Sequence, residues 1–291
     1  MFYMGQQLGI RKLSAAILTP TLSLALVSCA EASPAGPAGA SSSSSSPSSS
    51  PEGSPADSTV ERLGVEIVAT HPADPTSFTQ GLEVEPGGTL LVGTGRNGQS
   101  RIYRTTTSGQ VSDEHQLEPT FFGEGLTRYD DVVWQLTWKS GVAFRRDADT
   151  LAELDRVNYT GEGWGLCSRD GELIMSDGTD KLRRLDPQTF AERERFPVTL
   201  QGRPVAGINE LECVGDEIYA NIFTRTDIVR IDARTGEVTG VIDASAVPDN
   251  GPADDPDAVL NGIAHIPGTD RFYLTGKLWP DLYEVRFVPQ Q

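Results

Sequence analysis

The stretch Gly163-Trp164-Gly165-Leu166-Cys167-Ser168-Arg169-Asp170-Gly171-Glu172-Leu173-Ile174-Met175-Ser176-Asp177-Gly178 decides the fold. Leu166-Cys167-Ser168 is a short run that ends in Arg169-Asp170-Gly171, and Asp-Gly between two such runs signals a hairpin. Glu172 to Ser176 is the returning strand, and Asp177-Gly178 turns the chain again. Lys181 to Leu185 alternates as a third strand, Asp186-Pro187-Gln188-Thr189 turns, and Glu192 to Phe196 is a fourth. Four short antiparallel strands follow one Trp-Gly-Leu.

The unit recurs in both directions along the chain. Gln80-Gly81-Leu82, Glu124-Gly125-Leu126, Trp164-Gly165-Leu166, Asn209-Glu210-Leu211 and Asn261-Gly262-Ile263 align, with heads 44, 40, 45 and 52 residues apart. Spacing of that size marks a repeat in which each copy is one supersecondary unit. The second block offers Val132 to Trp138, Gly141 to Arg145 and Leu151 to Tyr159. The fourth offers Leu211 to Val214, Glu217 to Ile222, Asp227 to Ile231 and Glu237 to Ile242. No window holds a 3.6-residue apolar period of helical length. Four-stranded units repeated radially predict an all-β fold, a five-bladed β-propeller. The last block runs out after three strands, and Val65 to Ala69 belongs to no other block. The expected closure is therefore the N-terminal strand completing the last blade, which removes an exposed sheet edge.

The scaffold positions repeat, but the head residue changes: Gln80, Glu124, Trp164, Asn209, Asn261. A second ring, about fourteen residues after each head, holds Arg96, Trp138, Gly178, Phe223 and Lys277. Both rings are expected to converge on one mouth of the propeller.

The chain before Val60 has another character. Arg11-Lys12 and an apolar stretch from Leu13 to Val27 read as a signal peptide over 1–28, too short to span a membrane convincingly. Leu26-Val27-Ser28-Cys29 resembles a bacterial lipobox, which makes Cys29 the expected lipidation site. The competing reading is an ordinary cleaved signal. Residues 29–59 are almost all Ser, Pro, Ala and Gly and are expected to be a disordered tether, because they cannot bury enough apolar area to offset their ordering entropy. Residues 60–291 form the folded domain. The expected location is the cell envelope, or the secreted or periplasmic space if no anchor forms.

The chain carries 41 acidic and 24 basic side chains, a formal charge of −17 that grows more negative when Arg11 and Lys12 leave with the signal. That excludes nucleic acid as a partner and leaves the lipid as the sole route to a membrane. Past Cys29 only Cys167 and Cys213 remain. Export permits a disulfide, but Cys167 lies three residues after its head and Cys213 four, and adjacent strand positions face opposite ways. Two buried thiols are expected instead. His71, His115 and His265 are the three histidines, and no His/Cys pair has zinc spacing. No metal site is read, and a structural calcium on the axis is not legible. The acidic stretch Asp249, Asp254, Asp255, Asp257 lacks an EF-hand pattern and reads as a solvated loop.

His71-Pro72, Asp74-Pro75-Thr76-Ser77-Phe78-Thr79-Gln80-Gly81-Leu82, Phe122-Gly123-Glu124-Gly125-Leu126, Leu136-Thr137-Trp138-Lys139, Gly163-Trp164-Gly165-Leu166, Asn209-Glu210-Leu211-Glu212 and Leu260-Asn261-Gly262-Ile263-Ala264 resemble, in order, the motifs of the plant and bacterial type of glutaminyl-peptide cyclotransferase. The resemblance runs from about Ile67 to Phe287. It implies a five-bladed propeller that converts N-terminal glutamine of peptides and proteins to pyroglutamate and releases ammonia, with no cofactor required. It places the catalytic glutamate on Glu124 and the pocket on Phe78, Gln80, Trp138, Trp164, Asn209 and Lys277. The family usually has tryptophan where this chain has Phe223, so an aromatic wall is kept and an indole N–H donor is lost.

The chemistry needs a group that takes a proton from the α-amine and returns one to the leaving nitrogen, and one carboxyl can do both. Glu124 is that candidate. The competing role is a structural glutamate accepting backbone N–H bonds. Lys277 is the candidate donor to the oxyanion, or the charge that steadies Glu124. Trp138, Trp164, Phe78 and Phe223 are candidate walls, against the alternative of core packing. Gln80 and Asn209 offer amides for the α-amine and γ-amide, and Asn261 completes the head ring. A monomer is expected. The alternative function is a non-catalytic binding or scaffold lipoprotein on the same propeller. A metal-dependent propeller hydrolase is disfavoured by the scarcity of histidine.

Overall fold

The computed structural model describes residues 60–290, so the expectations for the signal, the tether and Cys29 lie outside the described residues. Every regular element in that range is a strand. In chain order these are β1 (Glu61–Pro72), β2 (Thr79–Val84), β3 (Leu90–Thr94), β4 (Arg101–Thr105), β5 (Val111–Gln116), β6 (Gly123–Tyr129), β7 (Val132–Thr137), β8 (Val142–Asp147), β9 (Glu153–Asn158), β10 (Leu166–Arg169), β11 (Glu172–Met175), β12 (Lys181–Leu185), β13 (Glu192–Pro197), β14 (Thr199–Leu200), β15 (Arg203–Pro204), β16 (Ile208–Val214), β17 (Glu217–Ile222), β18 (Asp227–Asp232), β19 (Val238–Asp243), β20 (Leu260–His265), β21 (Arg271–Gly276) and β22 (Asp281–Pro289).

β2 to β5, β6 to β9 and β10 to β13 form three four-stranded meanders, and eight strands in the order β16-β17-β18-β19-β1-β22-β21-β20 form a larger sheet. The Asp-Gly hairpin lies between β10 and β11, where Asp170 and Gly171 both take positive φ, as a type I′ turn demands. The first strands adjoin in the cycle β2, β6, β10, β16, β20 and back to β2. β1 runs antiparallel to β22 from Leu63 to Pro72. Its first residues also pair in parallel with β19, Glu61 opposite Gly240 to Gly64 opposite Asp243, which no reading of the repeats anticipates. The hairpin β14–β15 is a second unforeseen element.

The burial patterns explain the packing. First to third strands carry nearly continuous buried runs such as Val132–Thr137, whereas the fourth strands β5, β9 and β13 are mostly exposed. Continuous apolar runs belong to strands covered on both faces. Cys167, Ile174 and Leu182 of one sheet pack against Leu211, Ile218 and Val229 of the next. Leu166, Leu173 and Met175, on the other face, pack against Trp134 and Leu136 of the preceding sheet.

That face-to-face arrangement corrects the cysteine expectation. Cys167 and Cys213 are joined in a disulfide, with Cα atoms 5.5 Å apart. The parity argument holds within one sheet. Neighbouring sheets, however, present opposite faces to each other, so a residue three places after one head meets a residue four places after the next.

Candidate active site

Four of the five heads sit at β-bulges. Glu124 and Gly125 together oppose Leu136, Asn209 and Glu210 oppose Asn221, Asn261 and Gly262 oppose Thr275, and Gln80 is the extra residue between Thr79 and Gly81. A bulge re-aims a side chain that a regular strand would hold against its neighbouring sheet. The glycine after the head has a steric cause. A Cβ on Gly125 would stand 2.6 Å from the Trp164 carbonyl oxygen, and one on Gly165 2.1 Å from that of Asn209.

The bulges and the second ring open a cavity of about 380 Å³, lined by Phe78, Gln80, Arg96, Phe122, Glu124, Trp138, Trp164, Asn209, Phe223, Asp257 and Lys277. Every predicted site residue of the folded domain is in that lining except Asn261. Another cavity, of about 370 Å³, has Asp74 as its one carboxylate, and Asp74 is held in an ion pair by Arg101. It offers no free acid–base group.

Glu124 is 4% exposed and, among the described residues, accepts one side-chain bond, from Gln80 Nε2 at 3.1 Å. Its carboxyl is pushed well above the ordinary carboxylate range, mainly by burial. The positive charge of Lys277 opposes that push and the negative charge of Glu162 adds to it. Lys277 is buried, and burial lowers its pKa against the pull of Glu124 and Asp257. Its Nζ lies 5.0 Å from the ring centroids of both Phe78 and Phe223. Among the described residues Lys277 makes no ion pair within 4.0 Å.

Asn261 stands behind the cavity, fully buried. It donates to the Thr79 carbonyl at 3.0 Å and to Gln80 Oε1 at 3.2 Å. That bond turns the Gln80 amide so that its Nε2 faces Glu124. Asn209 is anchored through its backbone, where its carbonyl accepts Ser176 Oγ at 2.6 Å. Its side-chain amide lines the cavity and makes no hydrogen bond among the described residues. Gly178 of the second ring does not line the cavity. A Cβ there would stand 2.6 Å from Trp164 Cζ2, so the missing side chain makes room for that indole.

The structure also brings in residues the pattern reading left without a role. Phe122, quoted there within a motif, packs edge-on against Phe78 and tilted against Trp138, with ring centroids 6.0 and 5.4 Å apart. Glu162 accepts hydrogen bonds from both cavity indoles. The acidic loop is more than a solvated one. Asp255 pairs with Arg96, whose guanidinium lies 4.3 Å from the Phe78 centroid, and Asp257 lines the cavity. The Gly-Glu-Gly ahead of Trp164 was the available sign for Glu162, and the loop carried none. Among the described residues no three His, Cys, Asp or Glu side chains are grouped to hold a metal ion.

The described cavity therefore combines a buried carboxyl with spare hydrogen-bonding capacity, a buried ammonium, two amides and aromatic walls. Comparison with known proteins gives the family of the chain. A family model described as glutamine cyclotransferase matches residues 38–287. A glutaminyl-peptide cyclotransferase of Arabidopsis thaliana is 35% identical over 227 residues, 76% of this chain and 71% of the relative. The crystal structure of Myxococcus xanthus glutaminyl cyclase superposes with a TM-score of 0.75 at 39% identity, covering 80% of this chain and 100% of that one. The chain belongs to the glutamine cyclotransferase family.

Proposed function

We propose that the chain is a glutaminyl-peptide cyclotransferase that closes an N-terminal glutamine of a peptide or protein into pyroglutamate and releases ammonia. Family membership supports the reaction class. One observation carries the assignment of its centre: Glu124, buried and raised in pKa, is held among the described residues by Gln80 alone and faces an aromatic-walled cavity.

In this reading the neutral α-amine attacks Cδ of its own side chain, and the new N–Cδ bond forms as the carbonyl electrons move to oxygen. Glu124 takes the proton shed by the amine. The oxyanion then collapses, the bond to the amide nitrogen breaks, and Glu124 returns the proton to that nitrogen, which leaves as ammonia. Glu124 ends as it began, and a carboxyl with a raised pKa suits both transfers. Lys277 donates to the oxyanion, Asn209 binds the α-amine or γ-amide, and Gln80 keeps Glu124 in place. Trp138, Trp164, Phe78 and Phe223 hold the side chain bent back, which supplies proximity. No step uses a metal.

We read the scaffold as a five-bladed propeller. The closed cycle of first strands and the pairing of β1 with β22 support that reading. We extend it to an exported lipoprotein anchored at Cys29, supported by the Arg11-Lys12 start, the apolar run and Leu26-Val27-Ser28-Cys29.

The test is purified protein with a Gln-initiated peptide and a chelator. Ammonia release with the matching mass loss is expected, with no reaction of an acetyl-Gln peptide, which lacks the nucleophile. No turnover of the Gln peptide would overturn the enzyme reading in favour of a binding protein. Turnover abolished by chelator and restored by zinc would overturn the metal-free mechanism. Cys29→Ser is expected to release the protein from membranes at unchanged specific activity, and wild-type protein already soluble and unacylated would defeat the anchor.

A further inference from the structure

Two of the cavity walls are indoles, and an indole N–H is a donor with no acceptor of its own. Trp138 reaches the cavity from the end of β7, and Trp164 from the segment just before β10. Both are only partly buried, so neither is fixed by packing alone. Their N–H groups converge on one atom. Glu162 Oε2 accepts from Trp138 Nε1 at 2.7 Å and from Trp164 Nε1 at 3.0 Å. The other oxygen, Oε1, lies 3.8 Å from Lys139 Nζ, which itself sits 3.9 Å from the Trp138 ring centroid. The carboxylate is thus tied to both walls, and the lysine covers the outside of one of them.

We propose that Glu162 is the positioning residue of this site, a clamp that sets the separation and tilt of the two indole walls between which the glutamine side chain is held. The inference rests on the cyclotransferase reading for its effect on turnover, but the clamp itself is a matter of geometry. Hydrogen bonds to an ionised acceptor are the stronger kind. Fixing two large side chains before the substrate arrives removes an ordering cost from binding. Glu162 touches no reacting atom in this scheme and acts through the indoles.

Glu162 carries a second consequence. The groups around it are Lys139, the two indole N–H groups and, across the cavity, Glu124, whose proton affinity the Glu162 charge raises. Lys277 acts on Glu124 in the opposite sense.

Two substitutions separate the roles. Glu162→Gln keeps an acceptor oxygen in the same place and removes the charge. Glu162→Ala removes the acceptor. For Glu162→Ala we expect kcat/KM for a Gln peptide to fall about tenfold, mostly in KM, the equivalent of about 1.4 kcal/mol. For Glu162→Gln we expect a near-wild-type KM and an acidic limb of the pH–rate profile moved to lower pH, since a like charge near Glu124 is gone.

Acrylamide quenching of tryptophan emission gives a readout independent of turnover. Trp134 and Trp279 are 0% and 2% exposed, so a change reports Trp138 and Trp164. Quenching is expected to rise in Glu162→Ala and to stay at the wild-type level in Glu162→Gln. Unchanged quenching and KM in Glu162→Ala would overturn the clamp. So would a loss confined to kcat, which would make Glu162 a proton-transfer group. If the wild-type protein fails to cyclise the peptide, the cyclotransferase reading falls and the quenching comparison still decides the clamp.

Discussion

Glu124 and Glu210 are both buried on first strands near the centre of the molecule, at 4% and 0% exposure, and burial pushes both carboxyls well above the ordinary range. They differ in what their oxygens do. Glu210 takes the place that glycine holds in the other four blocks. It spends one oxygen on the Leu82 N–H and the other on the Ile263 N–H, each at 3.2 Å, and so ties β16 to β2 and β20. Glu124 accepts a single bond from a side-chain amide and lines a cavity. A buried carboxyl whose lone pairs are committed to backbone donors is a structural strut. One with capacity left over, facing open space, is available for proton transfer. Burial and a shifted pKa alone do not separate the two.

The same change at both positions should split them. Glu124→Gln keeps shape and removes the proposed proton carrier. Turnover of a Gln peptide should fall on the order of 10²–10⁴, the scale of a positioned acid–base group, with an unchanged unfolding midpoint or a higher one. Wild-type turnover in that variant would erase the distinction drawn here.

Next in size is the disulfide that lies on the Glu210 side of the comparison. It joins β10 to β16 across 46 residues, and closing such a loop in the unfolded chain stabilises the fold by about 2–4 kcal/mol. The double variant Cys167→Ser with Cys213→Ser should unfold at lower urea while each folded molecule cyclises normally. A matching loss of specific activity would mean that the strut region also shapes the cavity.

Glu210→Gln should show the reverse of Glu124→Gln. The new amide N–H₂ would face a backbone N–H, and one buried donor left unmet costs about 1–3 kcal/mol. Specific activity should hold while the unfolding midpoint drops. An inactive but fully stable Glu210→Gln would place that carboxyl in the chemistry.

The smallest effect is in the pH dependence of stability. A carboxyl with a raised folded-state pKa keeps its proton in the native state above pH 4.5, where the unfolded chain has begun to release its own. Its stabilising contribution is complete below that value and is lost as pH rises through the folded-state pKa. Glu124→Gln cannot lose it. The Tm of the variant minus that of the wild type should therefore grow as pH rises above 4.5. The wild-type rate should likewise rise with pH as Glu124 gives up its proton, above the range of an ordinary carboxyl. A constant Tm difference would mean that Glu124 titrates like an exposed carboxylate.

Sequence alone determined what is local or periodic in this protein. Asp170-Gly171 and Asp186-Pro187 mark turns by their own backbone preferences, the strands show in their apolar runs, and the return of one block every 40 to 52 residues sets the repeat. The varying head residue then marks Glu124, Trp164 and Asn209. Only the tertiary structure decided which faces of different repeats meet. That relation pairs Cys167 with Cys213 across an apparent parity mismatch, and it aims two indoles from separate loops at Glu162. It sends Asn261 behind Gln80 instead of into the cavity, and brings Asp255 to Arg96 over 159 residues. It also commits both oxygens of Glu210 to neighbouring strands while leaving Glu124 with one bond. A strand's periodicity says which side chains share a face. It cannot say what that face will touch, because the partner is supplied by another repeat and by the closeness with which glycines let the first strands approach.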